Sequence, residues 1–286
     1  MIAVRAPIAA PIPVFPGTSE GTGSGRSDAA VRQGPGRGGA EKETHHKTEA
    51  TLIPDYVIYR TIVREDADRG RSAELTRLGV ATVAEAHARR GLFDAGIRSL
   101  ATGMAAAGPA VTVEMPAGDN LMLHAAIELL RPGDMLVVTT WPRSSTHGVF
   151  GDLLAEACRW RRISGVVLDA GVRDVAAIRA LGLPVWARTV HAGGALKHEG
   201  GRVNVPVTAG GAAVGPGDFV LADDDGVVCV PRRDVDAVIR RGAARAAREE
   251  ETRTRLRAGA LSLDLSNLRP VLEQEGVRYV DAPYGE

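Results

Sequence analysis

The sequence predicts an α/β fold: one layered domain over residues 51–286 behind a disordered Gly/Pro-rich tail over 1–50. Three observations lead there. Val-rich runs of strand length recur between residues 110 and 231, helical stretches alternate with them through the middle of the chain, and the first fifty residues carry neither period.

Residues 1–50 are rich in Gly, Pro, Ser and charge, and such a segment cannot bury enough apolar surface to offset its ordering entropy. Pro7, Pro11, Pro13 and Pro16 interrupt its apolar start, so a secretory signal is not expected. His45 and His46 lack partner ligands at useful spacing, and no metal site is expected there. From Asp55 the pattern becomes regular. Ser72 can cap a short helix through Leu78, and Thr82 a second one over 83–90.

Strand-length runs follow at 110–115, 135–140, 165–170, 184–188, 203–207, 218–223 and 226–231, punctuated by Gly, Pro and Asp as suits strands buried on both faces. Helical stretches at 120–130, 151–162 and 173–182 lie between the first of them, which implies parallel strands joined by right-handed crossovers. After Pro184 the helices stop. Short strands then succeed one another through Gly-Gly and Pro-Gly turns, reading as a β-rich layer or small barrel packed on the first half. A long helix from 234 to 257 closes the domain, with Val235, Val238 and Ile239 inward.

The 35 Lys and Arg balance 35 Asp and Glu, which excludes a broad basic face for nucleic acid or anionic membrane. No run approaches the roughly 20 apolar residues of a membrane helix. Cys158 and Cys229 each sit in an apolar pattern, so two buried thiols in a reducing cytoplasm are expected rather than a disulfide.

Three strand ends deliver polar groups. In GVVLDAGVRDVAAI, Asp169, Arg173 and Asp174 stand at the carboxyl edge of a sheet, where α/β proteins bind ligands. Asp174 also reads as a helix N-cap, and Arg173 as the partner of a surface carboxylate. In HGVFGDLLAEACRW, a turn with Gly148 and Gly151 precedes Asp152 and a helix start, whose amides and dipole favour an anion; simple capping is the alternative. In AGDNLMLHAAIELL, Asp119, Asn120 and His124 open a helix, with Asn120 and His124 one turn apart on one face, although a lone His there is ordinarily structural. Asp223, Asp224 and Asp225 read as a solvated turn, since a calcium loop would need further oxygens at regular spacing.

The succession GDNLMLHAAIE, RPGD, GVFGDLL, GVVLDAGVRD, PVWAR, VNVPV and PGDFVLADDDGVVCVPR resembles the class II pyruvate aldolases of the 4-hydroxy-4-methyl-2-oxoglutarate / 4-carboxy-4-hydroxy-2-oxoadipate type. These share a superfamily with the regulator of ribonuclease activity A. The likeness runs from about Leu75 to Tyr279 and leaves the first fifty residues without a counterpart. It implies a swivelling β/β/α-type domain, assembly into homotrimers or hexamers, and sites at subunit boundaries. It places a metal-binding carboxylate on Asp174, a substrate-binding and catalytic arginine on Arg173, and a catalytic, water-orienting carboxylate on Asp152. Gly151 and the amides of Leu153 and Leu154 then face the pyruvyl carboxylate, with Asn120 and His124 nearby. A neighbouring subunit's carboxylate would come from among Glu249, Glu250 and Glu251.

The implied chemistry is retro-aldol cleavage of a 4-hydroxy-2-oxo acid, with Mg²⁺ or Mn²⁺ stabilising the pyruvate enolate. Oxaloacetate decarboxylation would share that enolate. A Schiff-base route is disfavoured because Lys197 and the tail lysines lie outside the strand-end motifs. A non-catalytic regulator of ribonuclease activity, acting by protein–protein binding, shares the scaffold. A methyltransferase would need a Gly-rich strand-to-helix loop with an acidic ribose ligand, which is absent. Groups beyond C4 would be chosen by the loop 141–147, where Arg143 or His147 meets a distal carboxylate or the loop is merely solvated.

Overall fold

The computed structural model describes residues 56–142 and 145–285. The tail read as disordered, with His45 and His46, lies outside the described residues, as does Arg143. The chain opens with β1 (Val57–Ile58), α1 (Asp68–Leu78) and α2 (Val80–Ala86). Neither expected cap holds. Ser72 lies inside α1, whose start is fixed instead by Asp68, bonded to the Glu65 amide and to the guanidinium groups of Arg71 and Arg232. Thr82 lies inside α2, whose first amide, Val80 N, donates to Asp223 Oδ2 at 2.7 Å. The start of α2, and the Arg232 pairing that holds Asp68, depend on residues remote in sequence, which a local cap signal cannot register.

The middle of the chain supplies β2 (Arg98–Ser99), β3 (Ala106–Pro116), α3 (Leu121–Leu129), β4 (Met135–Trp141), β5 (Gly148–Phe150), α4 (Asp152–Trp160), β6 (Gly165–Val172), α5 (Val175–Leu181) and β7 (Val185–Val190). Strands β3, β4, β6 and β7 run parallel and adjacent, as the strand–helix alternation predicts. β3 begins four residues before the expected run. Gly108 and Pro109 read locally as a breaker, yet Gly108 is needed because a Cβ there would stand 2.0 Å from the Gly133 carbonyl oxygen. β5 was expected to be part of a turn. It takes over pairing with the carboxyl end of β6 beyond the point where β4 stops.

The last part comprises β8 (Arg202–Val203), β9 (Val207–Ala209), β10 (Ala212–Val214), β11 (Phe219–Asp223), β12 (Gly226–Val230), α6 (Val235–Arg257), α7 (Ser262–Leu265) and α8 (Arg269–Gln274). The strand expected at 203–207 is broken at Asn204, which takes φ +58° and donates its side-chain amide to Tyr59 O. The second half is not a separate barrel. β8 and β11 both pair with β3, so most of these strands extend the same sheet, ten-stranded among the described residues. Only the β9–β10 hairpin stands apart, turning through Gly210 and Gly211 at positive φ.

The result is the layered α/β fold expected, with a β/β/α arrangement. Helices α3, α4 and α5 cover one face of the sheet through Leu123, Ala155, Cys158 and Ile178; the hairpin covers the other against Met135, Val137, Val167 and Trp186. A third cluster packs α1, α2 and the start of α6 on β11 and β12, and there Val235 and Val238 are buried as expected. Burial on both faces explains why the strands read as continuous Val-rich runs rather than alternating ones. Both cysteines are free and buried, and burial pushes the Cys158 thiol up to about 12. Two of the three adjacent acids hold loops: Asp223 caps α2 and accepts from the Asp225 amide, and Asp224 accepts from the Gly103 amide.

Acid sensitivity follows from ionisable groups whose proton affinity the fold lowers. Burial lowers the affinity of His87 for its proton, with Arg90 acting in the same direction; partial desolvation against α3 and Lys197 do the same to the more exposed His124. Burial raises the Asp68 carboxyl, but Arg232, the Glu65 amide and Arg71 outweigh it and leave it lowered. All three bind protons more readily unfolded than folded, so stability falls as pH drops below each ordinary value. The thermal midpoint is expected to decline below pH 6.5 and again below 3.8. In circular-dichroism melts His87→Gln should shrink the first step and keep the second; an unchanged first step would contradict the assignment.

Candidate active site

The carboxyl ends of β3, β5, β6 and β7 converge. β6 runs on past Asp169 to Val172, so Asp169 is a buried strand residue: it accepts from Arg188 Nε and, at 2.8 Å, from Gly210 N, tying the hairpin down. Arg173 and Asp174 emerge just beyond. Asp174 occupies the N-cap position of α5 with φ +58° and ψ +35°, a left-handed conformation that Asp tolerates better than most residues. Its carboxylate does not cap its own helix. Oδ2 turns instead to the start of α4, 3.4 Å from Asp152 N and 3.5 Å from Arg173 Nε. Asp174 thus stands at the N-cap position without capping through its side chain, while Arg173 does face a carboxylate, that of its neighbour.

Gly151, the N-cap residue of α4, makes this approach feasible. A Cβ there would lie 2.5 Å from Asp174 Oδ2 and 3.2 Å from Arg173 Nε. The next residues open a helix, whose first amides find no partner within the helix itself. Leu153 N donates to Asp152 Oδ1 at 2.8 Å, and Ala155 N closes the first turn on Gly151 O. Leu153 is exposed and Leu154 buried, so the helix start is anchored on one side and open on the other. With the side chains of Arg173 and Asp174 46% and 40% accessible, an anion can reach the fork, the carboxylates and the amides together.

The GDN segment contributes differently from expectation. Asp119 is buried and accepts from the amides of Leu121, His198 and Glu199, which fixes the start of α3 and the 196–199 loop. Burial raises its carboxyl, but these amides outweigh that and leave it lowered. Asn120 is also buried; its Nδ2 donates to Val149 O at 2.8 Å and its Oδ1 has no partner among the described residues, so it braces β5. His124 is exposed on α3 and makes no hydrogen bond or ion pair with Arg173 or Asp174 among the described residues. One turn of helix separates a buried N-cap from a solvent-facing ring, so their sharing a face does not bring both to the site. On α6, Glu249 pairs with Arg245 and Glu250 with Arg253 and Arg257 of the same helix.

The loop after β7 was not singled out from sequence. His191 N donates to Val172 O, Gly148 N donates to Gly193 O at 2.8 Å, and a Cβ on Gly194 would lie 3.0 Å from an Arg173 terminal nitrogen. His147 and His191 stand with ring centroids 6.2 Å apart. The signal was present as HAGG following a strand, but β7 runs two residues past its expected end, which moved the strand terminus. A cavity of about 650 Å³ opens at the opposite edge of the sheet, lined by Arg64, Ser72, Pro109, Asp134 and Arg162, and none of the strand-end residues lines it.

A layered α/β domain whose strand ends bring an arginine–carboxylate pair against a helix N-terminus is of the open-sheet α/β class, with its candidate site where such folds bind ligands. The sequence profile of the RraA-like family, described as Aldolase/RraA, matches residues 80–229, and the chain belongs to this family. A Halalkalibacterium halodurans protein, provisionally named a 4-hydroxy-4-methyl-2-oxoglutarate aldolase, is 32% identical over 167 residues, covering 58% of this chain and 77% of that protein. A Burkholderia multivorans protein with the same provisional name is 37% identical over 124 residues, 43% of this chain and 73% of its own length. Among solved structures, Streptomyces coelicolor RraAS2, described as an unusual member of the RNase ES inhibitor RraA protein family, is 33% identical. It superposes with a TM-score of 0.60 over 67% of this chain and 99% of its own.

Proposed function

We propose that this protein is a divalent-metal-dependent carbon–carbon lyase that cleaves 4-hydroxy-2-oxo acids to pyruvate and a second oxo compound, with oxaloacetate decarboxylation as a side activity. The observation that carries this reading is the Asp174 carboxylate, free of its own helix and aimed at the Asp152 amide beside Arg173. Relatives that bear an aldolase name support it.

The donor set suits Mg²⁺ or Mn²⁺. Among the described residues no group of three or more His, Cys, Asp or Glu side chains is placed to hold a metal. Asp174 offers one carboxylate of the one or two that such a cation uses alongside waters and substrate oxygens. When bound, the cation supplies Lewis-acid stabilisation of the negative charge that develops on the 2-oxo oxygen. Arg173 holds the same oxygen or the adjacent carboxylate through its permanently charged fork. The Leu153 and Leu154 amides orient the pyruvyl carboxylate. Asp152 takes the 4-hydroxyl proton through a water as the C3–C4 bond breaks, and returns a proton to C3 of the enolate.

The protein works as a homo-oligomer, a trimer or hexamer, in which Glu249, Glu250 or Glu251 of a neighbouring copy approaches the site. Its partner is a small 2-oxo acid rather than nucleic acid or membrane, and its two buried thiols suit a reducing cytoplasm; no helix among the described residues is long and apolar enough to cross a membrane. EDTA should silence pyruvate release from oxaloacetate in a coupled assay, and Mg²⁺ or Mn²⁺ restore it; turnover that persists in metal-free protein would sink the proposal. The likeness to RraAS2 favours one second reading, a non-catalytic regulator of ribonuclease activity. That reading expects no pyruvate under any metal condition.

A further inference from the structure

We infer that His191 and His147 form the subsite for a second, distal carboxylate of the substrate, so that Arg173 reads the pyruvyl end and the two imidazoles select dicarboxylates over monocarboxylates. The inference rests on the lyase reading for its substrate and on geometry for its residues. Three hydrogen bonds pin the loop that carries His191. Its amide donates to Val172 O, Gly193 O accepts from Gly148 N, and Gly193 N donates to His191 Nδ1 at 3.0 Å.

The last bond decides what His191 presents. With Nδ1 accepting, the ring proton resides on Nε2, and the imidazole offers a single donor with an orientation fixed by the loop. The two flanking glycines mark how close everything is. A Cβ on Gly193 would lie 2.8 Å from the His191 ring and 3.7 Å from His147 Cδ2, while a Cβ on the adjacent Gly194 would lie 3.0 Å from an Arg173 terminal nitrogen. The His191 ring and the Arg173 fork therefore flank consecutive residues of one loop. On the far side His147 packs over Gly118, where a Cβ would be 3.6 Å from its Nδ1, at the end of β3. Both rings are exposed, and neither forms an ion pair with an acid among the described residues. Asp152 and Asp174 lie at the metal end, so an acid arriving between the histidines meets donors.

The test compares 4-hydroxy-2-oxoglutarate with 4-hydroxy-2-oxopentanoate, which breaks the same bond but carries a methyl group in place of the distal carboxylate. The double variant His147→Ala with His191→Ala should raise KM for the diacid about tenfold, leaving kcat and the monoacid KM unchanged, as expected for lost binding to a non-reacting group. His191→Gln, whose side-chain amide restores a donor, should recover part of the loss. Equal changes for both substrates, or none, would overturn the inference. If the wild-type protein releases pyruvate from neither compound, the lyase reading fails and binding still decides the subsite. Calorimetry with 2-oxoglutarate and 2-oxobutyrate in Mg²⁺ should show the double variant weakening only the former. Unchanged affinity for both would discard the subsite by itself.

Discussion

Replacing Asp174 by Asn is expected to reduce Mg²⁺-dependent pyruvate release from oxaloacetate by about a thousandfold or more, while the thermal midpoint stays near wild type. The two parts of that expectation have separate physical grounds. Asn tolerates the left-handed conformation at φ +58° and is nearly isosteric, so the start of α5 is undisturbed. The carboxylate it removes is 40% accessible and among the described residues bonds to Asp152 N and Arg173, so little stability depends on it. What disappears is the negative charge available to a divalent cation, and with it the stabilisation of the developing enolate. Arg173→Ala should fall to a similar degree, since losing one preorganised donor to a developing oxyanion typically costs 10² to 10³ in rate, about 3–4 kcal/mol. Arg173→Lys should not rescue it, because an ammonium cannot present the fork that two oxygens require. Near-normal turnover in Asp174→Asn would remove the basis for the mechanism.

The second large effect is on stability. Trp186→Ala is expected to destabilise the domain by about 3–5 kcal/mol, the usual range for truncating a fully buried large aromatic residue. For a domain of this size that corresponds to a midpoint lower by about 10 °C in a calorimetric scan. Trp186 is completely buried between the sheet and the β9–β10 hairpin, against Met135, Val137 and Val167. Its indole also donates to Asp223 O at 2.8 Å, and the same aspartate caps α2 through its side chain. One side chain thus joins two of the three apolar clusters. Trp186→Phe should lose less, keeping most of the packing and forfeiting the hydrogen bond. A drop of only a degree or two in the alanine variant would mean that the hairpin layer contributes little.

Much of the architecture could be read from the chain because burial on both faces writes a simple signal. Each parallel strand is a Val-rich run, and each intervening helix carries its own apolar stripe. The misreadings share one cause, which is that the deciding partner lies far away in sequence. Ser72 and Thr82 are good local caps, but Asp68 with Arg232, and Asp223 with Val80, fix the helix starts across the fold. Gly108 and Pro109 look like a break and are strand residues because β11 pairs with them. Asn204 breaks a run with no glycine to announce it.

The candidate site divides along the same line. Gly151, Asp152, Arg173 and Asp174 were legible because each stands where a strand ends or a helix begins, and the structure brings them together. Asn120 and His124 were grouped by helical spacing, which reports direction but not depth. His191, Gly193 and Gly194 went unnoticed because their importance lies in what a side chain would strike: Gly194 beside Arg173, and Gly148 with a hypothetical Cβ 2.4 Å from His191 O.

The left-handed backbone at position 174 narrows what that position can hold. Glycine would adopt that conformation most easily but has no side chain to offer, and most other residues would strain it. Aspartate and asparagine are the two that combine tolerance with a polar head of the same shape. Charge at the mouth of α4 can therefore be switched off by a single oxygen-for-nitrogen exchange that leaves no trace in the backbone.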